Sequence, residues 1–285
     1  MKRTSHIPEL REMIALEKKR GRTIALIPTM GYLHQGHLAL IERAKQTGAF
    51  VVLSIFVNPL QFGPTEDYSN YPRDLERDAR LVEDAGVDAL FHPTDQEMYP
   101  HPMVTYVEVG QLDAALCGAK RSGHFRGVVT VVSKLFHIVQ PDLSFFGQKD
   151  YQQYLIIRRM VSDLNLPIEV CSVPIVREQD GLAISSRNVF LTSEQRQEAV
   201  ILSRSLNEAE MHIRAGVRSA REIEVRIRER INRESHGLID YVEVRGAGDL
   251  SEVTDIESAV LIALAVRFGS TRLIDNKVVE VETVV

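Results

Sequence analysis

Along the first two-thirds of the chain, short runs of consecutive apolar residues alternate with longer stretches whose apolar positions recur every three or four residues. Residues 23–28 (TIALIP) and 50–57 (FVVLSIFV) are apolar almost throughout, the pattern of strands buried on both faces of a parallel sheet. Between them, residues 36–45 put Leu38, Leu40, Ile41 and Ala44 on one helical face. A helix over 8–20 carries Leu10, Met13, Ile14 and Leu16 and is stopped by Gly21. The alternation continues with a helix over 71–84, a strand over 88–92, an apolar helix over 128–139, a strand over 143–146, a helix over 151–164 and a strand over 168–173. Strand, helix, strand repeated in this way predicts an α/β fold: a Rossmann-like parallel sheet with helices on both faces.

The rhythm changes at residues 176–181 (VREQDG). Two charged helices over 193–215 and 220–233 come next, then strands over 239–244, 259–266 and 271–274. Helices followed by strands predict a smaller C-terminal α+β domain. The expected division is residues 1–177 and 178–285. No internal repeat or low-complexity tract interrupts either part.

A parallel sheet binds its ligands at the carboxyl ends of its strands. That directs attention to the loops at 28–36, 58–70, 147–150 and 174–186. The first reads PTMGYLHQGH. A strand-to-helix turn rich in glycine lets a phosphate approach helix amides, and Gly36 has no side chain to block it. His34 and His37, three apart, share one helical face, where imidazoles can donate to phosphate oxygens and carry positive charge while doing so. The same histidines could simply cap the helix; their pairing around a glycine directly after an apolar strand favours function. Zinc binding would need further ligands, and no acidic or cysteine cluster stands nearby.

Composition removes whole classes. With 34 Lys+Arg against 39 Asp+Glu the net charge is −5, which argues against a generally basic nucleic-acid binder. No apolar stretch approaches the roughly 20 residues of a membrane span, and MKRTSHIPELREM has charges where a signal peptide needs an apolar core; a cytoplasmic location is expected. Two cysteines, Cys117 and Cys171, cannot build a disulfide framework. No G-x-x-x-x-G-K-[ST] occurs and no G-x-G-x-x-G follows a strand, which weighs against a P-loop enzyme or a dinucleotide dehydrogenase.

His34-Gln35-Gly36-His37 resembles the H-x-G-H signature of the nucleotidyltransferase superfamily. IPTMGYLHQGHLALIERAK, SIFVNPLQFGPTEDYSNYPR, RSGHFRGVVTVVSKLF, FFGQKDYQQ and DGLAISSRN, in this order and spacing, closely resemble the pantothenate synthetases (pantoate–β-alanine ligases), and the resemblance runs to RLIDNK. It implies that ATP activates the carboxylate of pantoate as an adenylate, with release of pyrophosphate, and that β-alanine then displaces AMP. It implies an ATP site of Met30, Gly31, Tyr32, Leu33, His34, Gln35, Gly36 and His37, joined by Gly147, Gln148, Lys149 and Asp150, and by Val176, Ile184, Ser185, Ser186 and Arg187. The implied catalytic set is His37, His34, Lys149 and Arg187.

Each implied role has a chemical rationale. Lys149 is a compact charge for phosphate oxygens. Ser185, Ser186 and Arg187 offer two hydroxyls and a guanidinium to a departing pyrophosphate, although serines there also suit a helix cap. Gln61 and Gln153 match the pantoate ligands, with Gln61 also toward β-alanine: neutral amides bind a carboxylate without quenching its attack. Arg121, His124 and Arg126 are candidates to gather around phosphate or pantoate. Mg²⁺ accompanies ATP; Asp78 is one candidate ligand, though with Asp74 and Glu76 it reads rather as a solvated helix face. A homodimer and a C-terminal domain closing over the site complete the implied picture. Another H-x-G-H nucleotidyltransferase acting on a phosphorylated molecule would demand more basic residues in the acceptor pocket, where Gln61, Gln152 and Gln153 stand. A catalytically silent nucleotide-binding module would have lost His34, His37, Lys149 or Arg187.

Overall fold

The computed structural model describes residues 1–64 and 66–281. Thr65, in the predicted 58–70 loop, and the last four residues of the predicted second domain lie outside the described residues. The chain divides into two compact units, Met1–Pro174 and Ile175–Val285.

The first unit contains β1 (Lys2–Thr4), α1 (Ile7–Lys19), β2 (Ile24–Thr29), α2 (Gln35–Lys45), β3 (Phe50–Ile55), α3 (Leu75–Asp84), β4 (Ala89–Phe91), the short helices α4 (Asp95–Met98) and α5 (Leu116–Lys120), α6 (His124–Val139), β5 (Leu143–Gly147), α7 (Tyr151–Asp163) and β6 (Glu169–Val173). The six strands form one parallel sheet in the order β1-β4-β3-β2-β5-β6. Ile24–Ile27 and Val51–Leu53 are wholly shielded from solvent, as their unbroken apolar sequence requires. Ala25, Ile27, Val51 and Leu53 share one core with Leu40, Ile41 and Ala44 of α2 and Ala79 and Val82 of α3. The alternate positions Ile24, Leu26 and Val52 point to the opposite face, where α1 and α6 pack.

The strand order fixes the site. From β2 the sheet grows outward through β3 and β4 on one side and through β5 and β6 on the other. The carboxyl ends of β2 and β5, paired in register at Ala25–Leu143 and Leu26–Ser144, therefore flank the point where chain direction reverses, the crevice in which open α/β sheets bind ligands.

Two departures from the sequence reading have simple causes. The helix expected from residue 71 begins at Leu75: Pro72 disfavours a helical Tyr71, and Asp74 caps the helix by accepting the Arg77 amide at 3.0 Å. Strand β1 was not anticipated, since its sequence KRT has no apolar signal and it forms the outer edge of the sheet.

The second unit holds α8 (Ser193–Glu198), α9 (Ile201–Arg214), α10 (Ala220–Glu234) and an antiparallel sheet of β7 (Leu238–Gly246), β8 (Val260–Phe268) and β9 (Thr271–Val279). The single helix expected over 193–215 is two, because Leu202 N bonds to Ala199 O, a tighter turn that offsets α9 from α8. Leu202, Leu206 and Ile213 of α9 and Ile223, Ile227 and Ile231 of α10 form one core with Val242, Ile262, Leu264 and Val266. No helix among the described residues is long and apolar enough to cross a membrane.

Candidate active site

The loop after β2 is held by its own backbone and by one buried carboxylate. Thr29 Oγ1 donates to Ser54 O at 2.7 Å and accepts from Gly31 N at 3.2 Å. Gly31 (φ +82) and Tyr32 (φ +51) then turn the chain through the left-handed region. A Cβ on Gly31 would lie 2.9 Å from Ile55 Cγ2 and 3.1 Å from Asp78 Oδ2, so glycine serves both the turn and the close approach. The turn aims two amides at Asp78: Tyr32 N donates to Oδ2 at 2.6 Å and Leu33 N to Oδ1 at 2.8 Å. Arg77 donates to Asp78 Oδ1 at 3.2 Å and to Leu33 O at 3.0 Å, with its guanidinium 5.2 Å from the Tyr32 ring centre.

This corrects the reading of Asp78. It is not part of a solvated face but 1% exposed, and both oxygens are committed to the loop. Burial raises its pKa, against the opposing amide bonds and Arg77. Tyr32 and Leu33, expected in the ATP site, have their backbone amides engaged by Asp78.

The two histidines cap α2 and are thereby fixed chemically. His34 is the N-cap: its Nδ1 accepts from Gly36 N at 3.2 Å, while His37 Nδ1 accepts from His34 N at 3.3 Å. An Nδ1 that accepts leaves the proton on Nε2. Both rings thus present an Nε2–H donor. Burial, then Lys149, lowers the pKa of His34 to about 4; burial, then His34 and Lys149, holds His37 well below its ordinary value. The expected cationic imidazoles are neutral donors at physiological pH. A Cβ on Gly36 would stand 3.0 Å from the His34 ring, so glycine here gives the ring its place.

Lys149 and Asp150 lie on the turn Gln148–Asp150 that follows β5. Both charges act on His34, so motifs more than a hundred residues apart in sequence meet at the β2–β5 reversal. Gln148 Nε2 donates to Ser172 Oγ at 3.2 Å, tying Gly147 and this turn to β6.

Gln61, 8% exposed, is held on the turn after β3. Asn58 Nδ2 donates to Gln61 Oε1 at 3.1 Å, and Gln61 Nε2 points at Met30 Sδ, 3.1 Å away. Helix α6 presses against this turn: a Cβ on Gly127 would collide with Leu60 O. Arg121 and His124 meet, each with protein partners. Arg121 forms a two-pronged pair with Glu66 at 2.7 and 2.6 Å and donates to His124 Nε2 at 2.8 Å. Hence His124 Nδ1–H donates to Gln61 O at 2.8 Å, and burial, then Arg121, lowers its pKa to about 4. Arg126 stands apart, paired with Glu108 and 4.6 Å from the Tyr106 ring centre. Gln153 is half-buried on the first turn of α7. Gln152 is structural: it donates to Leu112 O and Ala115 O, both at 2.8 Å, and accepts Cys117 N at 3.0 Å.

Within the second unit, Ile184 N donates to Val176 O at 3.0 Å, closing a hairpin secured by Arg177, which grips buried Asp275 at 2.7 and 2.9 Å. Ser185 Oγ caps the next turn by accepting Arg187 N at 3.3 Å; Ser186 is buried and Arg187 half-buried. Asn58 Oδ1 also accepts the Tyr99 hydroxyl at 2.7 Å; the Asn-Pro dipeptide is a turn signal, but nothing in the sequence points to Tyr99 as its partner.

The profile of the pantoate-beta-alanine ligase family matches residues 2–278. The chain belongs to that family. Its similarity to the pantothenate synthetase of Desulfitobacterium hafniense (strain DSM 10664 / DCB-2) is 65% identity over 274 residues, 96% of this chain and 97% of the relative. The crystal structure of pantothenate synthetase from Thermus thermophilus superposes with a TM-score of 0.92 at 47% identity, covering 97% of this chain and 99% of that one. The pantoate-β-alanine ligase of Francisella tularensis, solved in complex with β-γ ATP and β-alanine, superposes with a TM-score of 0.81 at 31% identity, covering 97% of each chain. The family's reaction is the condensation of pantoate with β-alanine to pantothenate, and the parallel sheet with a small antiparallel second unit is its architecture.

Proposed function

We propose that this family member activates pantoate with ATP through a pantoyl adenylate, and that the paired Nε2–H donors of His34 and His37, beside Lys149, are the centre of that step. The observation that carries this reading is the hydrogen bonding of the two rings: each Nδ1 accepts a backbone amide, so each Nε2–H is left as a donor for a ligand. Attack of a carboxylate oxygen on the α-phosphorus needs alignment and charge dispersal more than covalent help. A neutral Nε2–H stabilises the developing charge by hydrogen bonding while keeping its proton.

In this reading Lys149 attends the phosphates, Asp150 the ribose, and Met30, Gly31, Gly36, Gly147 and Gln148 shape the nucleotide's surroundings, with the backbone of Val176 at the adenine and Ile184 opening the loop that meets the pyrophosphate. Ser185, Ser186 and Arg187 take the pyrophosphate as the P–O bond to it breaks. Gln61 and Gln153 bind pantoate, and Gln61 also β-alanine, whose amine attacks the acyl carbon, losing a proton as AMP leaves. The unit after Pro174 acts as the lid that keeps water from the adenylate. Mg²⁺ enters with ATP on its phosphate oxygens; Asp78, with both oxygens on backbone amides, does not fit as its ligand. A cytoplasmic homodimer is the form proposed.

The binding of ATP and β-alanine by the Francisella ligase supports this reading. ATP–pyrophosphate exchange tests it. Labelled pyrophosphate should enter ATP when pantoate is present and β-alanine omitted. Exchange that requires β-alanine would rule out a free-standing adenylate.

A further inference from the structure

Asn58 is 1% exposed and uses every hydrogen-bonding position of its side chain. Its Nδ2 donates to Gly127 O and to Gln61 Oε1, both at 3.1 Å. Its Oδ1 accepts Leu60 N at 3.3 Å and the Tyr99 hydroxyl at 2.7 Å. A backbone carbonyl can only accept and a backbone amide can only donate, so Gly127 and Leu60 fix which way the amide faces. Gln61 is fixed in turn: its oxygen must meet the Asn58 NH₂, and its own NH₂ must face Met30 Sδ. The result is a one-way chain of donors running Tyr99, Asn58, Gln61 and ending on a thioether.

A thioether sulfur is a weak acceptor, readily replaced by a harder substrate oxygen. Each link upstream polarises the next, so the first donor strengthens the last. We propose that Tyr99 is a positioning residue for pantoate: its hydroxyl acts through Asn58, whose orientation Gly127 and Leu60 already fix, and strengthens Gln61 as an N–H donor. This rests on the reading of Gln61 as a pantoate ligand. It also sets a substrate preference, since the position at Met30 Sδ would favour an acceptor such as a carboxylate or hydroxyl oxygen and would reject a donor-only group.

Tyr99→Phe removes only the oxygen. The ring keeps its contact with Phe56, centroids 5.9 Å apart, and with Lys134 Nζ, 5.3 Å from its centre. Steady-state kinetics at saturating ATP and β-alanine should show the pantoate KM raised about 3- to 10-fold, the worth of one hydrogen bond. kcat and the ATP KM should stay within about twofold, because the contact is made equally in ground and transition states. In a Gln61→Ala background the same substitution should have no further effect on pantoate KM. An unchanged pantoate KM in Tyr99→Phe, or the full increase persisting in the Gln61→Ala background, would overturn the proposal. Gln61→Ala alone separates the two readings: if it raises pantoate KM while Tyr99→Phe does not, only the relay fails; if it leaves pantoate KM at the wild-type value, the ligand assignment fails and takes the relay with it.

Discussion

The imidazoles of His34 and His37 lie 4.1 Å apart, centre to centre, and are tilted by 36°. At that distance two cations would repel, and burial together with Lys149 already disfavours charge on either ring. A prediction about pH follows with a definite sign. His34 has a folded pKa near 4 against about 6.5 for an unfolded histidine. As pH falls the unfolded chain takes up the proton first, so stability from this group is complete above about 6.5 and is lost progressively down to about 4. Histidine NMR should show the His34 ring titrating near pH 4 in the folded protein. A midpoint near 6.5 would mean that the ring is not held by its neighbours as described.

Gly36→Ala separates folding from chemistry. An alanine in the first turn of α2 gains helix propensity worth about 0.5–1 kcal/mol. Its methyl group, however, would sit 3.0 Å from His34 Nδ1 and Cε1, and the ring must move. Stability should change by less than about 1 kcal/mol, while adenylation falls by about tenfold or more, because small misplacements of a catalytic donor are costly. Denaturant unfolding beside pyrophosphate exchange checks both halves. Full exchange activity in this variant would show that the position of the His34 ring is unimportant.

Asp78→Ala should behave as a structural lesion and not as the loss of a metal ligand. Two amides of the β2 loop would lose their acceptor, costing about 2–4 kcal/mol in total. Asp78→Asn, which keeps one acceptor and turns an NH₂ toward the other amide, should fall between alanine and wild type. In whatever fraction folds, the Mg²⁺ concentration for half-maximal exchange should match the wild type. A large shift in that concentration would restore Asp78 to the metal.

These residues show what a single sequence can carry. The strands at 24–29 and 50–55 were legible because burial on both faces demands uninterrupted apolar residues, and the loops after them because a parallel sheet puts its chemistry there. The pairing of Asp78 with Tyr32 and Leu33 was not legible. It spans more than forty residues, and in sequence Asp78 sits in an acidic helical turn that looks solvated. The histidine pair stood out in the sequence, but its charge state did not, since tautomer and pKa depend on backbone amides and on Lys149 from the turn after β5. Tyr99 belongs to no motif; its hydroxyl meets Asn58 across 41 residues of sequence, a pairing that only the folded chain reveals.

Lys149→Ala should lower adenylation far more than stability. Lys149 lies on the short turn after β5 and is half-buried, so its removal opens no core cavity. Loss of a charge-assisted contact to phosphate should cost about 2–4 kcal/mol in the transition state, or roughly 30- to 1000-fold in rate. His34 offers a second readout: without the Lys149 charge, its NMR titration should move upward. A variant with normal exchange and an unmoved His34 titration would place Lys149 away from the site.

Gln153 and Arg187 should divide the substrates between them. Gln153, on the first turn of α7, offers an amide that can donate to pantoate oxygens without adding charge. Gln153→Ala should therefore weaken pantoate by about 1–3 kcal/mol and leave ATP nearly untouched, as should Gln61→Ala. Arg187 lies in the serine-capped turn Ser186–Phe190, and in the proposed map its guanidinium meets the leaving pyrophosphate. Arg187→Ala should weaken ATP and slow its turnover while sparing pantoate. Single-turnover adenylation, titrating each substrate in turn for the three variants, decides the map. If Gln153→Ala weakens ATP as much as pantoate, or Arg187→Ala leaves ATP unaffected, the two substrates have been placed wrongly. The family and its reaction do not depend on that outcome, because they rest on similarity across nearly the whole chain; the assignment of these side chains does.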